Sequence, residues 1–430
     1  MSSKKLFLLI SSLSFLLFFL RLSNLNIPPV LTVDEVSIGL NAQSIIKIGT
    51  DEWGQKLPLF FKAFGEYKSP IFIYSLIPSI ALLSPTLYTI RLTSALWGLL
   101  TIAFAILLMW ELTRNKTAAL IAFVVSATLP WLYQLSHLGY EVITFPALFA
   151  AMLWTLTKSR QTVGPPLVGG RNPTKCGQAQ DLALQIISAF LLGLTVYTYP
   201  TARLLVPLYF LIIICILIEK PLHRLLFSLT SLITITPFIA AVMQNPAIIF
   251  NRLNQISIFS QPAPLKLFLT NYFGYFSPQF LFLTGSPDIL FSTQKSGALL
   301  ISFLLPLLFG LILLCRLTLK QNYWALFILL GLVTFPLASA LTFDNQPHLL
   351  RAANAIPFIV LTVTLGAWFL LKNLPKTVSA ALIVGFILEA GLYFYDFNVQ
   401  YPTRVLNNQA VKQIEVTGFK RSDLNKFYLR

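Results

Sequence analysis

Residues 84–134 read SPTLYTIRLTSALWGLLTIAFAILLMWELTRNKTAALIAFVVSATLPWLYQ, and their charges are confined to Arg91, Glu111, Arg114 and Lys116. On either side of the break at Thr113-Arg114-Asn115-Lys116, the chain stays apolar for close to the ~20 residues that a helix needs to cross a bilayer. Hydrocarbon offers no water to backbone N–H and C=O groups, so such a segment must close its hydrogen bonds internally, as a helix. The same texture recurs outward in both directions. Runs at 6–22, 84–110, 117–134, 141–157, 181–198, 203–218, 222–243, 297–315, 322–342, 353–371 and 376–395 predict about eleven transmembrane helices. With 56% hydrophobic and 11% charged residues over 430 positions, the chain reads as an all-α polytopic membrane protein. The short alternating segments of a β-barrel do not recur in it.

The net charge of +16 does not mark a nucleic-acid partner, because the basic residues come in ones and twos between the apolar runs. Lys4/Lys5, Arg114/Lys116, Lys158/Arg160/Arg171/Lys175, Lys220/Arg224, Arg316/Lys320 and Lys372/Lys376 fall on alternate connections, as the positive-inside rule requires. This puts the N-terminus in the cytoplasm and predicts an uncleaved first helix, since no small-residue cleavage site follows it. One transmembrane domain is expected over 1–395. It has a first outer loop at 23–83, a Gly- and Pro-rich cytoplasmic insertion at 159–180, and a second outer loop at 244–296. Residues 396–430 are expected to be a short extracytoplasmic tail. Cys176, Cys215 and Cys315 are scattered and suggest neither a disulfide framework nor a metal cluster.

The chain's 15 acidic residues are unevenly spent. Asp34, Glu35, Asp51, Glu52 and Glu66 all fall in TVDEVSIGLNAQSIIKIGTDEWGQKLPLFFKAFGEYKSP, residues 32–70. Scarce carboxylates gathered at one face of a membrane protein point to a site. Thr32-Val33-Asp34-Glu35 also matches a capping box, in which Glu35 folds back on the Thr32 amide. Val33, Val36, Leu40 and Ile45 would then make an amphipathic helix lying along the membrane surface. Capping accounts for Glu35 better than for Asp34, whose place at the mouth of a membrane cavity suits general-base work. In Gly65-Glu66-Tyr67-Lys68-Ser69-Pro70, Lys68 could snorkel and Tyr67 anchor at the headgroups. Alternatively, Lys68 meets a lipid phosphate and Glu66 a sugar hydroxyl or a metal. Spacing leaves both open.

Three later motifs fall on the same outer side. They are Ser136-His137-Leu138-Gly139-Tyr140-Glu141, Tyr197-Thr198-Tyr199-Pro200-Thr201-Ala202-Arg203 and Pro347-His348-Leu349-Leu350-Arg351. Interfacial decoration there should favour Trp and Tyr, with Lys and Arg on the other side. Arginines flush with the outer interface are better explained by an anionic ligand, above all a phosphate.

Taken in order, these motifs resemble the GT-C superfamily of integral-membrane glycosyltransferases. The likeness is to the branch holding the protein O-mannosyltransferases (glycosyltransferase family 39) and the lipid A aminoarabinose transferases. It is carried by Asp34-Glu35, Gly49-Thr50-Asp51-Glu52-Trp53-Gly54, Gly65 to Pro70, Arg91, TYPTARLLVP (198–207), FSPQFLF (276–282) and PHLLR (347–351). The resemblance implies transfer of a sugar, with inversion at C1, from a polyprenyl-phosphate donor to a protein, lipid or glycan at the outer face of the plasma (inner) membrane. Asp34 would be the first-loop acid, Glu66 a second carboxylate and Lys68 a donor-phosphate ligand.

The expected catalytic set is thus Asp34, Glu35 and Glu66. The expected phosphate ligands are Lys68, Arg203, Arg351 and His348. Asp51, Tyr67, Tyr199, His137 and Glu141 are further substrate-binding candidates. No cofactor is implied with certainty, and a divalent metal stays open at Glu66. The 35 residues after 395 are too few for the soluble C-terminal domain of some relatives. The rival readings are a flippase or carrier, and a polymerase or ligase, of lipid-linked sugars. A carrier needs polar groups through the membrane depth, and a ligase usually acts from a late large loop.

Overall fold

The computed structural model describes residues 19–159, Leu167 and residues 178–412. Most of the predicted first span and of the 159–180 insertion, Cys176 included, lies outside the described residues.

Helix α1 (Val33–Ile48) starts where the capping signal placed it. Thr32 Oγ1 accepts the Glu35 N–H at 3.3 Å, and Glu35 Oε2 accepts the Thr32 N–H at 3.0 Å. The helix ends at Gly49, which supplies the left-handed φ of 72°. Its buried positions do not form the single amphipathic stripe that was expected. Glu35, Val36, Ser37, Ile38, Gly39, Asn41 and Ala42 are all buried, so consecutive positions face protein. Its main partner is α2 (Pro70–Leu83), an apolar helix inside the loop expected at 23–83. At 14 residues this helix is about 21 Å long, too short for a span, and length alone missed it.

Between the two helices lies a hairpin, β1 (Phe61–Ala63) and β2 (Glu66–Lys68), with Ala63 opposite Glu66 and Phe61 opposite Lys68. Phe64 and Gly65 turn it with φ values of 50° and 74°. Positive φ at both central positions is the turn geometry that matches strand twist. Alternation along β2 then puts Glu66 and Lys68 on one side and Tyr67 on the other.

Helix α3 (Leu87–Thr113) is the first long apolar helix. After it, α4 (Lys116–Thr128) and α5 (Pro130–Ser136) are bent by 57° at Leu129. Pro130 brings no N–H to the junction. The fully buried Arg21 donates to Ala127 O at 3.0 Å and Leu132 O at 3.2 Å, satisfying carbonyls on both sides of the bend. Helices α6 (Thr144–Lys158), α7 (Gln178–Thr195), α8 (Ala202–Ile212) and α9 (Pro221–Gln244) follow. The second outer loop folds as α10 (Ala247–Ile256) and α11 (Pro264–Gly274) before α12 (Leu304–Leu319). Helices α13 (Tyr323–Thr334), α14 (Leu337–Ala340), α15 (Ile356–Asn373) and α16 (Lys376–Tyr395) complete the bundle.

Among the described residues, six helices are long and apolar enough to cross a membrane, or seven if the α4–α5 pair is one broken span. Three of the other predicted spans form shorter helices, α6, α7 and α8. Helix α15 is the most enclosed of the six, with 83% of its apolar window buried, against 11% for the last one. Close contact between α12 and α15 is made by glycines: a Cβ on Gly366 would sit 1.8 Å from Pro306 O and 2.5 Å from Gly310 N. Small residues serve this way in lipid, where no hydrophobic force drives helices together. Glu389, on α16, accepts the Ser302 N–H at 2.7 Å and the Ile301 N–H, capping the start of the helix that leads into α12. The last helix does not stop at 395. It runs on through a π-turn at Asp396–Gln400 into α17 (Tyr401–Asn407), so the expected tail begins as helix.

Candidate active site

Asp34 and Glu35 are adjacent on α1 and therefore point about 100° apart. That angle separates their environments. Glu35 is 0% exposed. Its Oε1 accepts Arg91 Nε at 2.7 Å and Gly139 N at 2.9 Å, and its Oε2 accepts Arg91 Nη2 at 3.1 Å. Arg91 also donates to Leu25 O at 3.2 Å, Pro28 O at 2.6 Å and Val30 O at 2.8 Å. This pair ties the entry loop, α1, α3 and the 136–141 turn into one knot. Gly139 is required there, because a Cβ would meet Ile90 Cγ2 at 2.4 Å and Glu35 Cγ at 2.9 Å. Glu35, expected among the catalytic acids, keeps no oxygen open to a substrate.

The Asp34 side chain is 36% exposed and pairs with Lys68 Nζ. Lys68 is buried, which works against its ammonium. The charges of Asp34, Glu141 and Glu66 outweigh that burial and hold it above the ordinary lysine range. Glu141 is also buried. Burial raises its carboxyl, Lys68 opposes the rise, and Asp34 adds to it. Its Oε1 accepts the Ser69 N–H at 3.3 Å, fixing the residue after Lys68. Ser69 Oγ lies 3.5 Å from Arg203 Nη2, while Arg203 Nη1 donates to Ile248 O at 2.8 Å. The Arg203 guanidinium lies over Phe60 at 5.0 Å, and its Nε is buried without a hydrogen-bond partner. Glu66 pairs with Arg252 at 3.1 Å. Tyr199 joins these groups electrostatically. Burial raises its phenol, Arg351 and Arg252 oppose the rise, and Glu141 and Glu66 reinforce it.

Arg351 holds Asp344 Oδ2 at 3.0 Å, Thr342 Oγ1 at 2.9 Å and Asp344 O at 2.7 Å. His348 packs on Phe291 at 4.8 Å, and its Nδ1 accepts the Leu350 N–H at 3.2 Å. Burial, with Arg351 and Arg252 adding to it, pushes its protonation well below the ordinary histidine range. A neutral imidazole brings no counter-charge for a phosphate.

The structure therefore gathers Asp34, Glu66, Lys68, Glu141, Tyr199, Arg203, Arg351 and His348 around one region. The rest of the expected residues have other work. Asp51 accepts Trp53 N at 2.9 Å and Gln55 N at 2.8 Å, shaping a turn. His137 stacks among Tyr133 and Phe397, with Nδ1 2.9 Å from Tyr133 O. Tyr67, on the other side of β2, accepts Asn245 Nδ2 at 2.7 Å. Among the described residues no three His, Cys, Asp or Glu side chains converge as metal ligands.

Sequence reasoning did not single out Arg252, Ser69 or Asp344. Arg91 entered only through the resemblance, although an arginine in an apolar run is itself a signal.

No protein-family model matches the chain, and no curated protein matches it. Solved structures do. ArnT from Cupriavidus metallidurans bound to undecaprenyl phosphate superposes with a TM-score of 0.54 at 13% identity, covering 100% of this chain and 75% of that one. Its apo state gives 0.56 at 14% identity, with 99% and 68% covered. The Archaeoglobus fulgidus oligosaccharyltransferase tethered to an acceptor peptide gives 0.54 at 13% identity, with 100% and 59% covered. The chain shares the fold of these structures.

Proposed function

We propose that the chain is a membrane glycosyltransferase that moves a sugar from a polyprenyl-phosphate donor to an acceptor hydroxyl at the extracytoplasmic face. The observation that carries this reading is the Asp34–Lys68 pair. It sets a part-exposed carboxylate and a buried ammonium at the start of α1, with Arg203 linked to them through Ser69. Asp34 takes the proton of the acceptor hydroxyl as its oxygen bonds to the sugar C1. The bond from C1 to the phosphate oxygen breaks, and its electron pair leaves with the phosphate. Lys68 and Arg203 stabilise that charge, which is largest in the transition state. Attack opposite the leaving phosphate inverts C1. The fold shared with a structure bound to undecaprenyl phosphate supports the donor class.

A carrier is the weaker reading. The buried charges of Arg21 and of the Arg91–Glu35 pair are committed to closing backbone and helix junctions rather than lining a path.

The test is to express wild type and Asp34→Asn in a deletion strain and follow lipid-linked sugars by mass spectrometry. Consumption of one polyprenyl-phosphate sugar by wild type, and its accumulation with Asp34→Asn, is expected. Identical pools in both strains would contradict the reading.

A further inference from the structure

Three cations around the site already hold a carboxylate: Lys68 holds Asp34, Arg252 holds Glu66 and Arg351 holds Asp344. The first of these pairs differs in kind. On the reading above, it joins the phosphate ligand to the base, so each group is partly committed to the other. The Lys68 N–H occupies Asp34 Oδ1, one of the two oxygens that could take the acceptor's proton. Lys68 is 4% exposed, and a buried ammonium cannot be left without a partner. It leaves Asp34 only if another anion takes it. Glu141 already gives its Oε1 to the Ser69 amide, the link that fixes this corner of the site. A donor phosphate brings its own oxygens and frees Asp34 at the same time.

We propose that the Lys68–Asp34 pair is a lock that the donor opens. The phosphate draws the Lys68 ammonium from Asp34 Oδ1, the base becomes available once the donor is seated, and transfer runs in an obligatory donor-first order. Binding itself makes and breaks no covalent bond. The proton then passes from acceptor to Asp34, and the negative charge released with the phosphate stays beside Lys68. The proposal rests on the glycosyltransferase reading, but its test needs no sugar transfer.

The test measures undecaprenyl phosphate binding to the full chain in nanodiscs, for wild type, Asp34→Asn, Lys68→Met and the double variant. Lys68→Met should weaken binding about tenfold or more, the worth of one charge-assisted hydrogen bond. Asp34→Asn should tighten binding about tenfold, because it frees Lys68 from its competitor. In the Lys68→Met background, Asp34→Asn should change little, since the lock is already gone. Equal tightening in both backgrounds would mean that Asp34 acts only as a nearby charge, and would overturn the lock. No tightening by Asp34→Asn would overturn it as well. If Lys68→Met itself left affinity unchanged, the donor-phosphate role of Lys68 would fall, and the lock with it. Should Lys68→Met melt well below wild type, Lys68→Gln takes its place in the same cycle.

Discussion

Asp34 and Glu35 sit one step apart on α1, and the structure divides the work between them. Glu35 is buried against Arg91 with all its lone pairs engaged, so removing one partner strands the other in the interior. Breaking a buried pair in this way costs about 3–5 kcal/mol. Glu35→Gln keeps the capping bond but not the charge, and should lower the melting temperature clearly; a melting curve equal to wild type would remove Glu35 from the framework. Lys68 makes a different prediction. Its folded value is raised above the ordinary lysine value of about 10.4. The stability it adds is therefore fully present below that pH and is lost as pH rises through the folded value. The melting difference between wild type and Lys68→Met should stay constant from about pH 7 to pH 10, checked by thermal melts across that range. The capping box was legible because its spacing is fixed. The partner of Glu35 was not, because it lies 56 residues away on α3.

At the scale of elements, the first outer loop shows where length and period run out as signals. Helix α2 is apolar but too short to announce a span, and the 61–68 hairpin is too short for alternation to show. Its turn was written as Phe64-Gly65, without the Asn-Gly pair that marks such turns most clearly. The 136–141 turn had been read for His137 and Glu141, yet Gly139 between them is what lets the backbone reach Glu35. Gly139→Ala should therefore destabilise the whole knot at the top of α1 and α3, with the pair contacts of Glu35 and Arg91 lost together. Thermal melts check this: Gly139→Ala and Glu35→Gln should be non-additive in the double variant, as expected for residues that share a contact. Additive losses would separate Gly139 from that knot.

For the whole molecule, the apolar runs predicted most of the helices, since the bilayer imposes both length and composition. The runs at α6, α7 and α8 are not among the six helices that meet the length and composition of a span, among the described residues. Orientation rests on the basic connections, and labelling checks it. Thr50→Cys should react with an impermeant maleimide from the extracytoplasmic side; reaction from the cytoplasmic side alone would overturn the topology and put the site on the other face. The central claim is that Asp34 is the base. Removing a general base typically costs ~10²–10⁴-fold in rate. The decisive measurement is the turnover of purified Asp34→Asn against wild type in nanodiscs, with the lipid-linked donor saturating and melting temperatures matched. A fall of that size with donor bound at least as tightly is predicted, and near-normal turnover would contradict the account.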